Sequence, residues 1–328
     1  MTAKIDPIET EYNPVSVLHP IPISELVAME LPQRQGFLPW LVEGGLVMVF
    51  GPRGVGKTYF SIGLAVALTC KTPFLKWEVE KSAGVLLVDG EMSLGELRTR
   101  IVELLPGEPV APLEIISHEV VFDREEKDLD LGRAEWQDAI STYLEDHPDI
   151  RVVIIDNLSC LLPGVAENER DDWADKVLPF LLKLRRRGLA LVMLHHAGKD
   201  GEQRGTSSRE DQLNTVIKLV VPPGYDETKG AQFVVSFTKS RNAYGDEIKD
   251  FEVELINNAS GGLTWEWRDL EQSNEERLYQ LAQDGIEHVS EAAEELGLSK
   301  GQVSKLKKRL QDKGMLEPGR DLKPVVPQ

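Results

Sequence analysis

Cysteine is scarce in this sequence, which has Cys70 and Cys160 as its two cysteines in 328 residues. Two cysteines provide neither a disulfide framework nor the spacing of a zinc site, so a disulfide-stapled secreted module is excluded. Long apolar runs are also missing, because none approaches the roughly 20 residues that a membrane helix requires. The first residues lack the apolar core of an export signal. We therefore expect a cytoplasmic protein that has no contact with membranes.

Basic residues are the minority charge: 37 Lys and Arg stand against 55 Asp and Glu, for a net charge of -18. A protein that coats nucleic acid with its whole surface is therefore excluded, and any such contact has to be local. With 41% hydrophobic residues, the chain is long enough for a full α/β core and a smaller second unit.

Three regions differ in composition. Residues 1–45 contain six prolines and predict an extended arm, because proline disfavours continuous helix and inner strand. Residues 46–269 alternate apolar strand patterns with amphipathic helices, which predicts an α/β domain with a mostly parallel sheet flanked by helices. The strand patterns at 216–220, 233–237 and 251–255 predict an antiparallel extension of that sheet. Residues 270–328 predict a small helical C-terminal domain, joined through a polar linker at 271–274.

A phosphate-binding loop lies between the first predicted strand (46–50) and a helix that begins at Lys57. Glycines allow backbone N–H groups to surround nucleotide phosphates, lysine reaches the outer phosphates, and a hydroxyl holds Mg²⁺. A nucleotide with Mg²⁺ is therefore the predicted ligand, and the loop alone does not separate kinases, GTPases and motor ATPases. The predicted nucleotide-binding residues are Gly51, Pro52, Arg53, Gly54, Val55, Gly56, Lys57 and Thr58.

Two further strands end in carboxylates. Asp156 ends the buried strand 152–155 and, with Thr58, is the predicted Mg²⁺ site. Its alternative is an aspartate that caps the next turn. Glu91 follows the strand 85–88 and is placed to polarise an attacking water. Its alternative is an acid that merely favours the start of the helix capped by Ser93.

These segments resemble the RecA-like ATPases, and within them the DnaB and plasmid RepA branch of ring-forming helicases. The resemblance covers residues 39–267 and depends on four segments: 51–58, 89–93 (Asp-Gly-Glu-Met-Ser), 155–157 (Ile-Asp-Asn) and 194–200 (Leu-His-His-Ala-Gly-Lys-Asp). It implies a RecA-like fold in which Glu91 is the catalytic base. It also implies a γ-phosphate sensor at His195 or His196, of which the second aligns slightly better. The alternative for a histidine here is a polar strand end hydrogen-bonded to backbone.

The segment Lys239-Ser240-Arg241-Asn242 resembles the finger motif that DnaB-type rings insert into the active site of the neighbouring subunit. Two cations at alternate positions of a strand end face the same side, as charge neutralisation of a phosphoryl group requires. The resemblance thus implies a homo-oligomeric ring, for which a hexamer is the family's usual form. The alternative is an exposed basic turn after an edge strand.

Two loops follow the strands that end at Ile155 and Leu194. In RecA-like rings such loops line a central channel, which implies DNA phosphate contacts for Lys199, Arg204 and Arg209. The companion loop at 163–172 is acidic, and this departs from what a DNA channel requires.

The C-terminal region predicts two short helices, 289–297 and 302–310, separated by a three-residue turn. The segment 314–320 resembles the wing of a winged helix-turn-helix. Residues 299–314 hold six cations and one anion, which suits contact with DNA phosphates. The alternative is a winged helix that contacts protein. The predicted nucleic-acid-binding residues here are Lys300, Lys305, Lys307, Lys308 and Arg309.

Together these patterns predict a ring-forming ATPase that acts on DNA as a replication or recombination motor of a plasmid, phage or mobile element. A second reading, favoured by the acidic loop, is an ATP-switched DNA-binding regulator that does not translocate. A third is a small-molecule kinase, which uses the same phosphate loop without fingers from a neighbour.

Overall fold

The computed structural model of the protein describes residues 18–31, 33–163, 173–198, 211–222, 225, 230–259 and 261–325, with the backbone alone at 271–273. The chain divides into two compact units, Met1–Arg34 and Gln35–Gln328. The described part of the first unit contains helix α1 (Ile23–Ala28), which has no buried residue. None of the described helices combines the length and apolar composition that crossing a bilayer requires.

The described part of the second unit contains a two-stranded hairpin and a nine-stranded sheet. The hairpin consists of β1 (Gly36–Leu38) and β2 (Leu41–Val42). The large sheet consists of β3 (Leu46–Gly51), β4 (Gly84–Asp89), β5 (Leu113–Ser117), β6 (Ile150–Asp156), β7 (Ala190–His196), β8 (Thr215–Val220), β9 (Gln232–Ser240), β10 (Phe251–Asn257) and β11 (Leu263–Asp269). Its spatial order is β11-β10-β9-β8-β3-β7-β6-β4-β5.

Most of the sheet is parallel, as predicted: β8, β3, β7, β6, β4 and β5 run in one direction. Strands β9, β10 and β11 form the antiparallel extension. The prediction was wrong for β8, because this strand pairs in parallel with β3. A parallel neighbour requires a connection of a dozen or more residues, and residues 197–214 provide that length.

The second compact unit begins at Gln35, inside the region 1–45 that was predicted as an extended arm. Phe37, Leu38, Trp40 and Leu41 are buried in the same core as helix α2 (Lys57–Cys70). Pro39 lies in the turn between β1 and β2, where proline is tolerated, so it is compatible with the hairpin.

Helices cover both faces of the sheet, as a parallel sheet requires. They are α2, α3 (Leu94–Leu104), α4 (His118–Glu125), α5 (Ala134–Asp146), α6 (Leu158–Leu161) and α7 (Leu178–Arg186), with a π-helical turn at Trp173–Val177 and a 3₁₀ turn at Gly245–Ile248. Alternate residues of β3 point to opposite faces. Val47 and Val49 pack in the core that contains α2, whereas Met48 and Phe50 pack in the core that contains α5 and α7.

The C-terminal region forms α8 (Leu270–Gln283), α9 (Val289–Glu295) and α10 (Lys300–Asp312). These helices share a separate apolar cluster that includes Leu278, Val303 and Leu310. Ser299 caps α10 through a capping box with Gln302. After α10 the chain folds back on itself, and the Glu317 N–H donates to the Lys323 carbonyl at 2.8 Å.

The predicted polar linker is helical. Residues 271–274 lie in the first turns of α8, which begins directly after β11 ends at Asp269. Glutamate and glutamine are good helix formers, so a polar run after a strand is also compatible with an exposed helix start. The polarity of this segment therefore predicts a linker, whereas its helix propensity predicts a helix, and the structure has the helix.

Helix α8 is joined to the sheet through a buried carboxylate. Glu252 of β10 is 0% exposed and accepts hydrogen bonds from Arg277 of α8 at 2.6 Å, Arg268 of β11 at 3.0 Å and Gln232 of β9 at 2.6 Å. A buried charge is tolerated when it is paired and hydrogen-bonded. This network therefore connects the C-terminal helices to three strands of the sheet.

Candidate functional site

The phosphate loop connects the central strand β3 to α2, and its backbone requires glycine. Gly54 and Gly56 have φ values of 78° and 103°, in the left-handed region that residues other than glycine rarely adopt. A Cβ atom on Gly56 would lie 2.7 Å from the Cβ of Ala231. The loop therefore brings its backbone N–H groups to the N-terminus of α2, where phosphate oxygens are favoured.

Lys57, the first residue of α2, is 5% exposed. Its Nζ donates to the carbonyl oxygens of Pro52 at 2.7 Å and Gly51 at 3.1 Å, so the ammonium group lies inside the loop. Burial lowers the pKa of Lys57 to about 8, although the negative charges of Asp156 and Glu91 act in the opposite direction. An anion bound in the loop would further favour the charged lysine.

The strand register brings the predicted residues to one edge of the sheet. Asp89 at the end of β4 pairs with Asp156 at the end of β6, and Gly51 at the end of β3 pairs with His196 at the end of β7. This is the carboxyl edge, where open α/β sheets bind ligands. The loop, Asp156 and both histidines therefore lie at this edge of the sheet.

Asp156 is buried beneath the start of α2. Its Oδ2 accepts a hydrogen bond from the Ser61 hydroxyl at 2.7 Å, and the Thr58 side chain also hydrogen-bonds this carboxyl. Burial raises the pKa of Asp156 to about 6, and the nearby negative charge of Asp89 acts in the same direction. Burial also raises the pKa of Asp89 to about 6, although Asp89 Oδ2 accepts the Met92 N–H at 3.1 Å.

These residues fit Mg²⁺. Buried carboxylates whose pKa values are raised are stabilised by a nearby cation, and a hydroxyl beside a carboxylate offers the oxygen ligands that Mg²⁺ prefers. Among the described residues, no group of three or more His, Cys, Asp or Glu side chains could hold a metal ion by itself. Thr58 and Asp156 would therefore hold Mg²⁺ together with phosphate and water oxygens, which is how this ion binds nucleotide sites.

Glu91 lies just beyond β4, and its side chain is 49% exposed. The Nδ2 atom of Asn157 donates to Glu91 Oε2 and lies 3.3 Å from His196 Nε2. His196 Nε2 is itself 3.9 Å from Glu91 Oε2. The structure thus separates the two histidines: His196 lies beside Glu91, whereas His195 Nδ1 is 3.4 Å from the Ser159 hydroxyl.

Lys239 and Arg241 lie at the opposite edge of the sheet from the phosphate loop of their own chain. Ser240 of β9 pairs with Thr215 of β8, which pairs with Val47 near the start of β3. At about 3.3 Å per residue, this level is about 13 Å from Gly51 along the strand direction. The Arg241 guanidinium donates to the Asp211 carbonyl at 3.0 Å. Neither residue therefore joins the site of its own chain.

The basic residues of the C-terminal region divide into two groups. Lys307 is 8% exposed and donates to the Arg320 carbonyl, and Arg309 lies 3.6 Å from Glu275 of α8. The prediction that Lys307 contacts nucleic acid is therefore corrected, because its ammonium group packs between α10 and the segment after it. The remaining predicted residues of α10, Lys300, Lys305 and Lys308, are exposed.

Three of the predicted DNA-contacting residues, Lys199, Arg204 and Arg209, lie outside the described residues, as does the acidic segment 164–172. Two further residues of the site were not predicted from the sequence. Ser61 is one helical turn after Thr58, a spacing that places both hydroxyls on one face of α2. Asn157 was noted as part of a motif, but no local pattern indicates that its amide reaches Glu91.

The sequence also matches a known protein family. A family model described as an AAA domain matches residues 13–202, more than half of the chain. The chain belongs to this AAA-domain family. No curated protein matches the chain. The AAA domain identifies the protein as an ATPase of the P-loop class, and the nine-stranded sheet of the described residues has the RecA-like α/β fold.

The raised pKa of Asp156 predicts how stability depends on pH in the nucleotide-free AAA domain. A carboxyl whose pKa is about 6 in the folded state and 3.8 in the unfolded state costs stability at neutral pH, and the cost disappears as pH falls below the unfolded value. Asp156→Asn removes this cost, which is at most about 3 kcal/mol. We expect its unfolding temperature to exceed that of the unchanged protein at pH 7.5, with a gap that closes toward pH 4.

Thermal unfolding of the nucleotide-free protein measures this gap. Asp128→Asn, which changes an exposed aspartate, is the matched control and should leave the unfolding temperature unchanged. Equal unfolding temperatures for Asp156→Asn and the unchanged protein at pH 7.5 would contradict the electrostatic cost.

Proposed function

We propose that the protein hydrolyses ATP with Mg²⁺ in a homo-oligomeric ring and acts on DNA. The observation that carries the proposal is the meeting of Lys57, Asp156 and Glu91 at the carboxyl edge of the sheet. In this proposal the phosphate loop and Lys57 hold the phosphates, and Thr58 and Asp156 would hold Mg²⁺, which would supply positive charge near the transferred phosphoryl group. Glu91 accepts the proton of the attacking water.

The exposure of Glu91 supports its part in the proposal. Half of its side chain is accessible, whereas Asp89 and Asp156 are buried, so of these three carboxylates Glu91 is the one that solvent water reaches most easily. His196 lies beside it at the end of the strand next to the loop, a position from which an imidazole can contact the terminal phosphate.

Two substitutions separate binding from hydrolysis. We expect Lys57→Ala to weaken ATP binding, because it removes the cation inside the loop. We expect Glu91→Gln to bind ATP normally and to lose hydrolysis by about 10²-fold or more, as removal of a general base does. Fluorescent-nucleotide titration and a phosphate-release assay measure the two properties. Normal hydrolysis by Glu91→Gln would remove this residue from its role.

The position of Lys239 and Arg241 supports a ring. Both lie at the sheet edge remote from their own phosphate loop, so they can neutralise phosphate charge at the loop of another protomer but not at their own. A contact of this kind is head-to-tail, and head-to-tail contacts that close generate rings.

A mixing experiment tests action between protomers. We expect Arg241→Ala and Lys57→Ala to be inactive separately, because one lacks the finger and the other the phosphate-binding cation. Mixed rings should regain activity, since some interfaces combine an intact loop with an intact finger. Phosphate release is measured across mixing ratios, with each variant mixed with itself as the control. If no ratio restores turnover, the fingers do not act in trans.

The DNA contact proposed for the C-terminal helices depends on one face of α10. At 100° per residue, Lys300, Lys305 and Lys308 fall within an arc of about 140° on the side away from Val303 and Leu310. Their ammonium groups are exposed and no contact with another described residue engages them. The turn of α9 and α10 and the segment that folds back after α10 support a winged helix-turn-helix, in which such a helix enters the major groove.

Charge removal on this face tests the contact. We expect the double variant Lys305→Ala, Lys308→Ala to bind duplex DNA more weakly and to reduce the slope of log K against log salt by about 0.9 for each phosphate that the variant no longer neutralises. The double variant Arg124→Ala, Lys127→Ala, on the exposed end of α4, removes the same charge and is the control. Equal weakening of DNA binding in both variants would indicate a non-specific charge effect.

A second function, an ATP-switched DNA-binding regulator that does not translocate, is favoured by the acidic composition of residues 163–172. Strand displacement on a forked duplex separates the two functions. A motor unwinds the fork while it hydrolyses ATP, whereas a regulator binds the fork and hydrolyses ATP without unwinding.

A further inference from the structure

The Asn157 side chain contacts Glu91, His196 and the backbone of Cys160. It is 0% exposed and lies at the carboxyl end of β6, directly after Asp156. Its side chain has one acceptor oxygen and one donor nitrogen, and the two atoms serve different partners.

The acceptor atom fixes the orientation of the amide. Asn157 Oδ1 accepts the backbone N–H of Cys160 at 3.2 Å and thereby caps α6. A backbone N–H can only donate, so the oxygen has to face Cys160 and the nitrogen has to face the other way. The orientation of the amide therefore follows from the fold of α6.

The donor atom faces both residues proposed to act on the terminal phosphate. Asn157 Nδ2 donates to Glu91 Oε2 and lies 3.3 Å from His196 Nε2. One NH₂ group carries two hydrogens, so it can serve both neighbours at once. Glu91 follows β4 and His196 ends β7, and β6 lies between these two strands in the sheet. Asn157 thus links Glu91, which follows one outer strand, to His196, which ends the other.

We propose that Asn157 is a positioning residue that holds the Glu91 carboxylate and the His196 imidazole in fixed places relative to each other. This inference rests on the proposed function. Glu91 is half exposed and would otherwise adopt several rotamers, so a fixed hydrogen bond lowers the entropy lost when the carboxylate is aligned with the attacking water. Asn157 itself contacts neither water nor phosphate in this role.

Two conservative substitutions distinguish positioning from helix capping. Asn157→Asp and Asn157→Ser both keep an acceptor that can cap α6, and both remove the NH₂ donor. We expect each to lower kcat by about tenfold to a hundredfold, as loss of a supporting hydrogen bond does. The Kd for ATP and the unfolding temperature of Asn157→Ser should stay unchanged, whereas Asn157→Asp should unfold at a lower temperature because it buries a further carboxylate beside Asp156. Asn258→Asp makes the same chemical change in the turn after β10 and should retain full activity.

A double variant tests whether Asn157 acts through Glu91. Adding Asn157→Ser to Glu91→Gln should cause no further loss in single-turnover rate, because the residue through which it acts is already disabled. Normal kcat in both the Asp and Ser variants would overturn the inference and leave Asn157 as a cap alone. A further tenfold loss in the double variant would overturn it as well.

These outcomes are distinguishable from failure of the proposed function. If the unchanged protein does not hydrolyse ATP, or if Glu91→Gln is fully active, the proposed function fails and with it this inference. If Glu91→Gln is inactive and the two Asn157 variants have normal kcat, the inference alone fails.

Discussion

The parallel pairing of β3, β7, β6 and β4 is the constraint on which the candidate site depends. These strands begin at one edge of the sheet and end at the other, so the residues that follow them lie at the same edge. Asp89 pairs with Asp156, and Gly51 pairs with His196. Because a shift of one residue turns a side chain to the other face, the register also decides which histidine lies beside Glu91.

This arrangement concentrates negative charge where water is scarce. Asp89 and Asp156 are almost completely buried and lie on adjacent strands, and burial raises the pKa of each. Lys57 is the nearest buried cation, and burial lowers its pKa. Burial causes both shifts, because it disfavours the charged form of a carboxylate and of an ammonium group alike. A bound polyanion with its divalent cation would offset both, which is why groups that are costly in the free protein suit a nucleotide site.

The sequence predicted the phosphate loop, the helix at Lys57 and the two-sided burial of the strands, because each depends on local spacing. It did not predict that β8 is parallel to β3, since strand patterning does not encode direction and a connection as long as residues 197–214 permits either direction. The amide of Asn157 was missed for a related reason: its partners come from two other strands. Lys307 was assigned from charge alone, whereas its position on the buried side of α10 decides what it contacts.

Several cations of the C-terminal helices are already paired within the protein, and this limits how strongly one protomer could bind DNA. Glu275 of α8 lies within 4 Å of Arg309 and Lys313, and Lys307 donates to a backbone carbonyl, so half of the six cations in residues 299–314 are engaged by groups within the C-terminal region. In the proposed contact with DNA, three exposed lysines would reach only a few phosphates, and binding would depend on salt. In the proposed ring several copies of this face would act together, and the effective concentration among linked sites would raise the affinity without any new contact. Assembly would then strengthen DNA binding, because a ring presents several copies of the exposed lysines of α10 at once.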